Sequence, residues 1–247
     1  MTVAEMEKTQ RTVVWTQHVV TNAPEPPPPL EPGDHLTQAE FERRYEAMPH
    51  LKKAELIEGR VYRSSAVRRG HSKTHAEIMT WLGYYWAATP GVELNDNGTV
   101  RLDEENEPQP DAALRIESKT IGASSTSDDD YVEGPPELVV EIAASSASYD
   151  LYEKLDVYQH NGVQEYVVWQ VYENCLDWFQ LVDSKYAPLL PDADGVIRSR
   201  VFPGLDLAVT ELLAGNLAAV LEVLQKGLQR EEHAAFIQRL KDEERTG

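Results

Sequence analysis

The chain has 247 residues, 41% of them hydrophobic. That is enough apolar surface for one sizeable core, so a single globular domain with tails is expected. The single cysteine, Cys175, excludes an intrachain disulfide framework and a cysteine-built zinc site, and a net charge of −19 excludes a uniformly basic surface.

The charge is nevertheless uneven. Residues 34–90 hold nine Lys/Arg against seven Asp/Glu, a net +2, whereas residues 91–141 hold three against fourteen, a net −11. The basic cluster is Arg60, Arg63, Arg68, Arg69 and Lys73. It reads either as a phosphate-contacting patch or as a solvated face balancing an acidic neighbour. Residues 1–20 contain only short apolar pieces such as Val13-Val14-Trp15, and no apolar run is long enough to span a bilayer. A cytoplasmic protein without a membrane partner is expected.

In chain order, residues 1–33 end in "APEPPPPLEPG", which favours extended polyproline and predicts a disordered arm outside any core. Order is expected from Thr37, where Thr37-Gln38-Ala39-Glu40 has the spacing of a capping box. "AELIEGRVYRS" reads as a hairpin about Glu58-Gly59, and a helix is predicted from about His71 to Ala88, closed by Pro90-Gly91. "VRLDEENEPQPDAALRI" reads as a second hairpin with a solvated acidic tip, Asp103 to Glu107, followed by the polar loop "SKTIGASSTSDDD". "ELVVEIA" is apolar on both faces apart from Glu141, the mark of a central strand. Ser148 is placed to cap a helix running to about His160, ended by Asn161-Gly162. "QEYVVWQVY" and "CLDWFQLV" flank a turn at Glu173-Asn174, and a further β pair is expected around Asp194-Gly195. In the closing helix Leu213, Leu217, Val220, Leu221, Leu224 and Leu228 form an apolar stripe that reads as intrachain packing rather than a dimer seam. The charged segment after it is expected to project. This order implies an α/β fold with a mixed β-sheet flanked by helices, in which "ELVVEIA", its helix and "QEYVVWQVY" form a crossover unit.

Glu141 is the chemical puzzle, because a bare buried charge is too costly to leave unanswered. Alternate strand residues share a face, so Val139, Glu141 and Ala143 point one way, as do Asp111, Ala113 and Arg115. If the two strands are neighbours, Asp111 and Glu141 converge. Two such carboxylates with open water positions suit Mg²⁺ or Mn²⁺. The alternative is that each carboxylate caps a strand end or pairs with an arginine. His71 and His75 stand four apart on one helical face, but "HSKTH" lacks the glutamate of the HExxH zinc motif and no third ligand is obvious. For His75 a satisfied, half-buried imidazole is the simpler expectation.

"PDAALRI" followed by "PELVVEIAASSASYDLYEKLDVYQHNGVQEYVVW" resembles the Uma-two (restriction endonuclease-like) family of the PD-(D/E)XK nuclease superfamily. Upstream, "ELIEGRVY" and Gly70-His71 match it in the right order, and the likeness covers roughly residues 37–210. The resemblance implies a restriction-endonuclease-like core over 34–210, with a C-terminal helical extension over 211–247. It implies that Asp111 and Glu141 bind Mg²⁺ or Mn²⁺, with the Ile142 backbone carbonyl as a further ligand. The usual lysine two residues after the glutamate is absent, since Ala143 stands there. By resemblance Lys154, on the next helix, replaces it as catalytic lysine, with Asp150 orienting it. An i,i+4 ion pair between Asp150 and Lys154 is the plainer alternative. Glu55 resembles an extra acidic site residue, and His71 lies near the site. Glu58 reads as solvated, and Ser145 as a cap where the family has Ser-Pro.

The implied activity is metal-dependent endonuclease cleavage of DNA, with the basic cluster contacting phosphates. A silent nucleic-acid- or protein-binding module is the alternative, and a small-phosphoester hydrolase a third. The sequence is compatible with a monomer and with a homodimer.

Overall fold

The structure is a computed structural model that describes residues 26–63, 67–118, 120–144 and 147–244. The chain before the first helix is better ordered than its prolines suggest. Leu30 is fully buried with Phe41, Leu56 and Val61, and the Gly33 amide donates to the Val61 carbonyl at 2.8 Å. Extended polyproline backbone leaves its polar groups free for a strand edge, and Leu30 supplies the apolar anchor. Order therefore precedes Thr37. Residues 1–25 of the expected arm lie outside the described residues.

Helix α1 (Gln38–Glu46) starts where the capping spacing places it, with Thr37 Oγ1 accepting from the Glu40 amide at 3.4 Å. The Glu40 carboxylate turns instead to Arg43 and Arg44, at 2.7 and 2.5 Å. Strands β1 (Ala54–Ile57) and β2 (Arg60–Arg63) form the expected hairpin. Its two turn residues, Glu58 (φ 49°) and Gly59 (φ 70°), are both left-handed, as a two-residue primed turn requires. Helix α2 (Arg69–Ala88) buries Thr74, Ile78, Trp81, Leu82 and Tyr85 along one stripe. Strand β3 (Val92–Asp96) follows directly, an element the sequence reading passes over.

The expected hairpin over 100–116 forms only near its tip. Asp103 and Asn106 bridge, and the Val100 and Leu102 amides donate to the Pro108 and Asn106 carbonyls at 2.9 Å, but the strand at 112–116 is not its second arm. Strand β4 (Val100–Arg101) is separate from β5 (Ala112–Ile116), and pairs in parallel with β7 (Val132–Glu133), which also pairs with β6 (Ser125–Thr126) inside the supposed polar loop. Pro108 and Pro110 have no amide to return, so the contact of the Val100 amide with the Pro108 carbonyl is not extended into a regular ladder. The tip is also less solvated than expected. Asp103, Glu104 and Glu105 are exposed, but Glu107 is buried and its amide donates to the Leu56 carbonyl.

Strand β8 (Leu138–Ala143), helix α3 (Ala147–His160) and strand β9 (Glu165–Gln170) make the predicted crossover, with β8 and β9 parallel. Strands β10 (Cys175–Val182) and β11 (Lys185–Pro188) complete a six-stranded sheet in the order β11-β10-β9-β8-β5-β3. All its pairings except β8–β9 are antiparallel. Strand β8 is central and buried throughout, as its sequence requires. Leu138, Val140 and Ile142 join the core under α2, while Val139 and Ala143 join Tyr158 and Tyr166 on the other face.

Strands β12 (Val196–Arg198) and β13 (Asp206–Ala208) form the later β pair, but Asp194-Gly195 precedes it rather than turning it. The closing helix is broken into α4 (Val209–Leu213), α5 (Leu217–Leu228) and α6 (Glu231–Glu244). Gly215 (φ 76°) makes the first break, and Asn216 caps α5 by accepting from the Ala219 amide. The charged α6 does not project. It buries His233, Phe236 and Leu240, with Phe236 edge-on to Phe202.

Candidate active site

Asp111 immediately precedes β5, and the antiparallel register pairs Ala112 with Val140. One step further along that register sets Asp111 opposite Glu141, on the face of the sheet that α3 covers. The ladder ends there, and the next β8 amide, that of Ile142, donates to Asp111 Oδ2 at 2.8 Å. An amide and carbonyl of one strand residue point to the same edge, so the Ile142 carbonyl faces the Asp111 side. The condition left open by the sequence, that the two strands be neighbours, is thus met.

Lys154 reaches this point from α3. Its ammonium lies 2.8 Å from Glu141 Oε1 and 2.8 Å from Glu55 Oε1, and the side chain is only 2% exposed. Glu55, from β1, also accepts from the Gln109 amide at 2.8 Å, which fixes the carboxylate that holds the lysine. The helix thus returns a long side chain to the end of the strand it follows. His71, one turn into α2, places Nε2 3.3 Å from Asp111 Oδ2, and its buried Nδ1 has no hydrogen-bond partner. Five residues singled out in the sequence, from β1, α2, the start of β5, β8 and α3, therefore meet in one place.

Residues 38–210 match the family model Uma2, described as "Putative restriction endonuclease". The chain belongs to the Uma2 family. A solved structure from Anabaena variabilis ATCC 29413, titled as "a putative nuclease belonging to DUF820", superposes with a TM-score of 0.54 at 12% identity. The alignment covers 69% of this chain and 96% of that one, and at this identity the likeness is one of fold. No curated protein matches the chain.

The Uma2 span contains the whole cluster and ends within α4, so α5 and α6 lie beyond it and pack on the core. Two members of the cluster escape motif reading. Tyr158 donates to Glu141 Oε1 at 2.9 Å, one helical turn beyond Lys154, and complete burial together with the Glu141 carboxylate pushes its phenol far up. The i,i+4 spacing from Lys154 is the signal that could have found it. Lys53 lies 3.4 Å from Asp111 Oδ1. Its signal is alternation, because Lys53 and Glu55 share a strand face.

Burial by itself would raise the Asp111 carboxyl, but His71, Lys53 and the Ile142 amide together hold it well below the usual range. His75 is satisfied, as expected, with Nε2 3.1 Å from the Asp111 carbonyl and 3.0 Å from Asp96 Oδ1. Arg60, Arg63, Arg68, Arg69 and Lys73 are all exposed. Arg68 and Arg69 flank the end of α2 that carries His71, whereas Lys73 is paired with Glu77 at 2.7 Å and Arg63 donates to the Leu30 carbonyl. Glu58 is exposed at its turn, as read. Ser145 and the side chains of Ser148 and Asp150 lie outside the described residues.

Among the described residues, no three His, Cys, Asp or Glu side chains converge to hold a metal by themselves. A hard divalent cation still fits the donor chemistry. Asp111 and Glu141 supply carboxylate oxygens, the Ile142 carbonyl lies on the same edge, and such ions keep several waters. Among the described residues no helix is long and apolar enough to cross a membrane.

Proposed function

We propose that this Uma2 chain is a Mg²⁺- or Mn²⁺-dependent endonuclease that hydrolyses phosphodiester bonds of DNA. The observation that carries the reading is the placement of Asp111 opposite Glu141 at the end of a ladder, with Lys154 held 2.8 Å from Glu141. Asp111, Glu141 and the Ile142 carbonyl would hold the cation. When bound, that cation supplies Lewis-acid stabilisation of the phosphate and makes water more acidic. Lys154, fixed by Glu55 and Glu141, sets an ammonium where it can orient the attacking water and meet charge building on phosphorus. His71 fixes the Asp111 carboxylate, and its ring Nδ1 is unsatisfied. Water can satisfy that nitrogen by donating, or a substrate phosphate oxygen by accepting when the ring carries both protons. Arg60, Arg63, Arg68, Arg69 and Lys73 supply backbone-phosphate contacts, which position a duplex without reading its sequence.

One observation favours a second reading, a metal-free binding module. The cluster already carries two lysines against three carboxylates, so most of its charge is answered from within. Cleavage of supercoiled plasmid and of labelled single-stranded and branched DNA separates the two. It is run with Mn²⁺, Mg²⁺ or EDTA, for the wild type and Asp111→Ala. The nuclease reading expects metal-dependent nicking that falls at least about 100-fold in Asp111→Ala, roughly 3 kcal/mol of transition-state stabilisation. DNA binding with neither Mn²⁺ binding nor cleavage would establish the module instead.

A further inference from the structure

The two lysines of the site are held very differently. Lys154 is clamped by two carboxylates at 2.8 Å and is 2% exposed. Lys53 meets one carboxylate oxygen at 3.4 Å and is 21% exposed. The first has no way out, and the second does.

The oxygen that Lys53 meets is informative. Asp111 Oδ2 is taken by the Ile142 amide and faced by His71 Nε2. Oδ1 faces Lys53. The Asp111 oxygen left for a metal ligand is therefore the one a lysine ammonium now covers. That ammonium also feels the carboxylates of Glu55 and Glu141 and the repulsion of Lys154, so it sits within the field of the whole cluster. With both lysines present the three carboxylates leave a net charge of −1. Without Lys53 the net charge is −2, which a divalent ion matches.

We propose that Lys53 is a resident cation that a divalent metal must displace from Asp111 Oδ1, so that it sets the metal affinity of the site. The proposal rests on the metal reading above. It makes Lys53 a positioning residue: it acts on metal occupancy through Asp111.

The test is calorimetric titration of the full chain with Mn²⁺ alone, at fixed pH and ionic strength, for the wild type, Lys53→Met and Lys53→Arg. Lys53→Met is expected to bind Mn²⁺ about tenfold more tightly, a gain of about 1.4 kcal/mol. Lys53→Arg, which keeps the charge, is expected to stay near the wild type. A purely structural lysine would give the opposite result, a looser site in Lys53→Met. Equal or weaker binding by Lys53→Met, with the wild type binding Mn²⁺, overturns this inference and leaves the metal centre standing. No Mn²⁺ binding by any of the three proteins overturns the metal centre and the inference with it. If Lys53→Met does not fold, the wild type carrying ¹³C-methylated lysines gives a second readout. The resonance absent from Lys53→Arg must shift on adding Mg²⁺, and a stationary signal overturns the proposal.

Discussion

Strands β8 and β9 run side by side, and the buried carboxylates at their two ends are answered in different ways. At the N-terminal end, Glu137 accepts from the Ile116 and Ala123 amides, both at 2.7 Å. Glu165 accepts from Trp178 Nε1, Ser199 Oγ and the Arg200 and Val201 amides. Those partners are neutral and fixed to the fold, and burial still pushes both carboxyls up. Further along, Glu55, Asp111 and Glu141 are equally buried but face Lys53, Lys154 and His71, and Asp111 is held down. Amide donors belong to the backbone and cannot leave. A side-chain cation can be exchanged for another cation, and this exchangeability separates a candidate site from a structural brace.

The sharpest way to break that contrast is to remove the cation held most tightly. Lys154→Met strands Glu55 and Glu141 without their shared ammonium, and breaking a buried pair in this way costs about 3–5 kcal/mol. Urea unfolding without metal should show that loss, and Mn²⁺ should return part of it by putting a cation back among the carboxylates. A loss below about 1 kcal/mol would mean that the cluster is not held together by charge.

Glu165→Gln tests the other end. The amide keeps the shape of the carboxylate but turns one acceptor into a donor facing hydroxyl, indole and backbone donors. A loss of about 2 kcal/mol is expected in the same unfolding assay. Mn²⁺ should leave that loss unchanged, because no cation belongs there. Recovery on adding metal would erase the distinction between the two ends.

The difference also shows how far the sequence could be read. Strand β8, its crossover to β9 and the strand faces that carry Asp111 and Glu141 were legible, because period-two alternation fixes which residues share a face. That the two strands are neighbours was a condition only the fold could meet. The meeting of Lys154 with both glutamates came only through family likeness, since periodicity cannot aim a side chain from α3 at two different strands. Strand β3 and the β4–β7 pairing were not legible. Strands β4 and β7 are two residues each, too short for a period to show, and β3 holds only two apolar residues, Val92 and Leu94. Lys53 and Tyr158 carry no motif role of their own, and their spacing gains meaning only once the carboxylates they meet have been placed. Helix α6 looked solvent-facing because charge dominates its composition, while its three buried residues, His233, Phe236 and Leu240, are spaced along one stripe.

Glu107 adds a third case, a buried carboxyl whose nearby guanidinium, that of Arg101, is already paired with Glu42 at 2.6 Å. The Gln38 side-chain amide donates to it at 3.3 Å, and burial with the Glu42 carboxylate beside it pushes its pKa up to about 8. The sign of its contribution follows from that direction. Below about pH 4.5 both folded and unfolded chains hold the proton, and the stabilisation is fully present. As pH rises toward 8 the unfolded chain has released its proton while the folded chain still keeps it, so stability falls; above 8 the loss levels off. Asp111 acts in the opposite sense and in a separate window, since its stabilisation is lost as pH falls through the acid range. Comparing wild type with Glu107→Gln by urea unfolding at pH 5 and pH 6.5 isolates the first effect. The wild type should lose about 1–2 kcal/mol more than the variant across that interval. An equal loss in both proteins would mean that Glu107 is ionised in the fold, and that burial at this position is answered by charge after all.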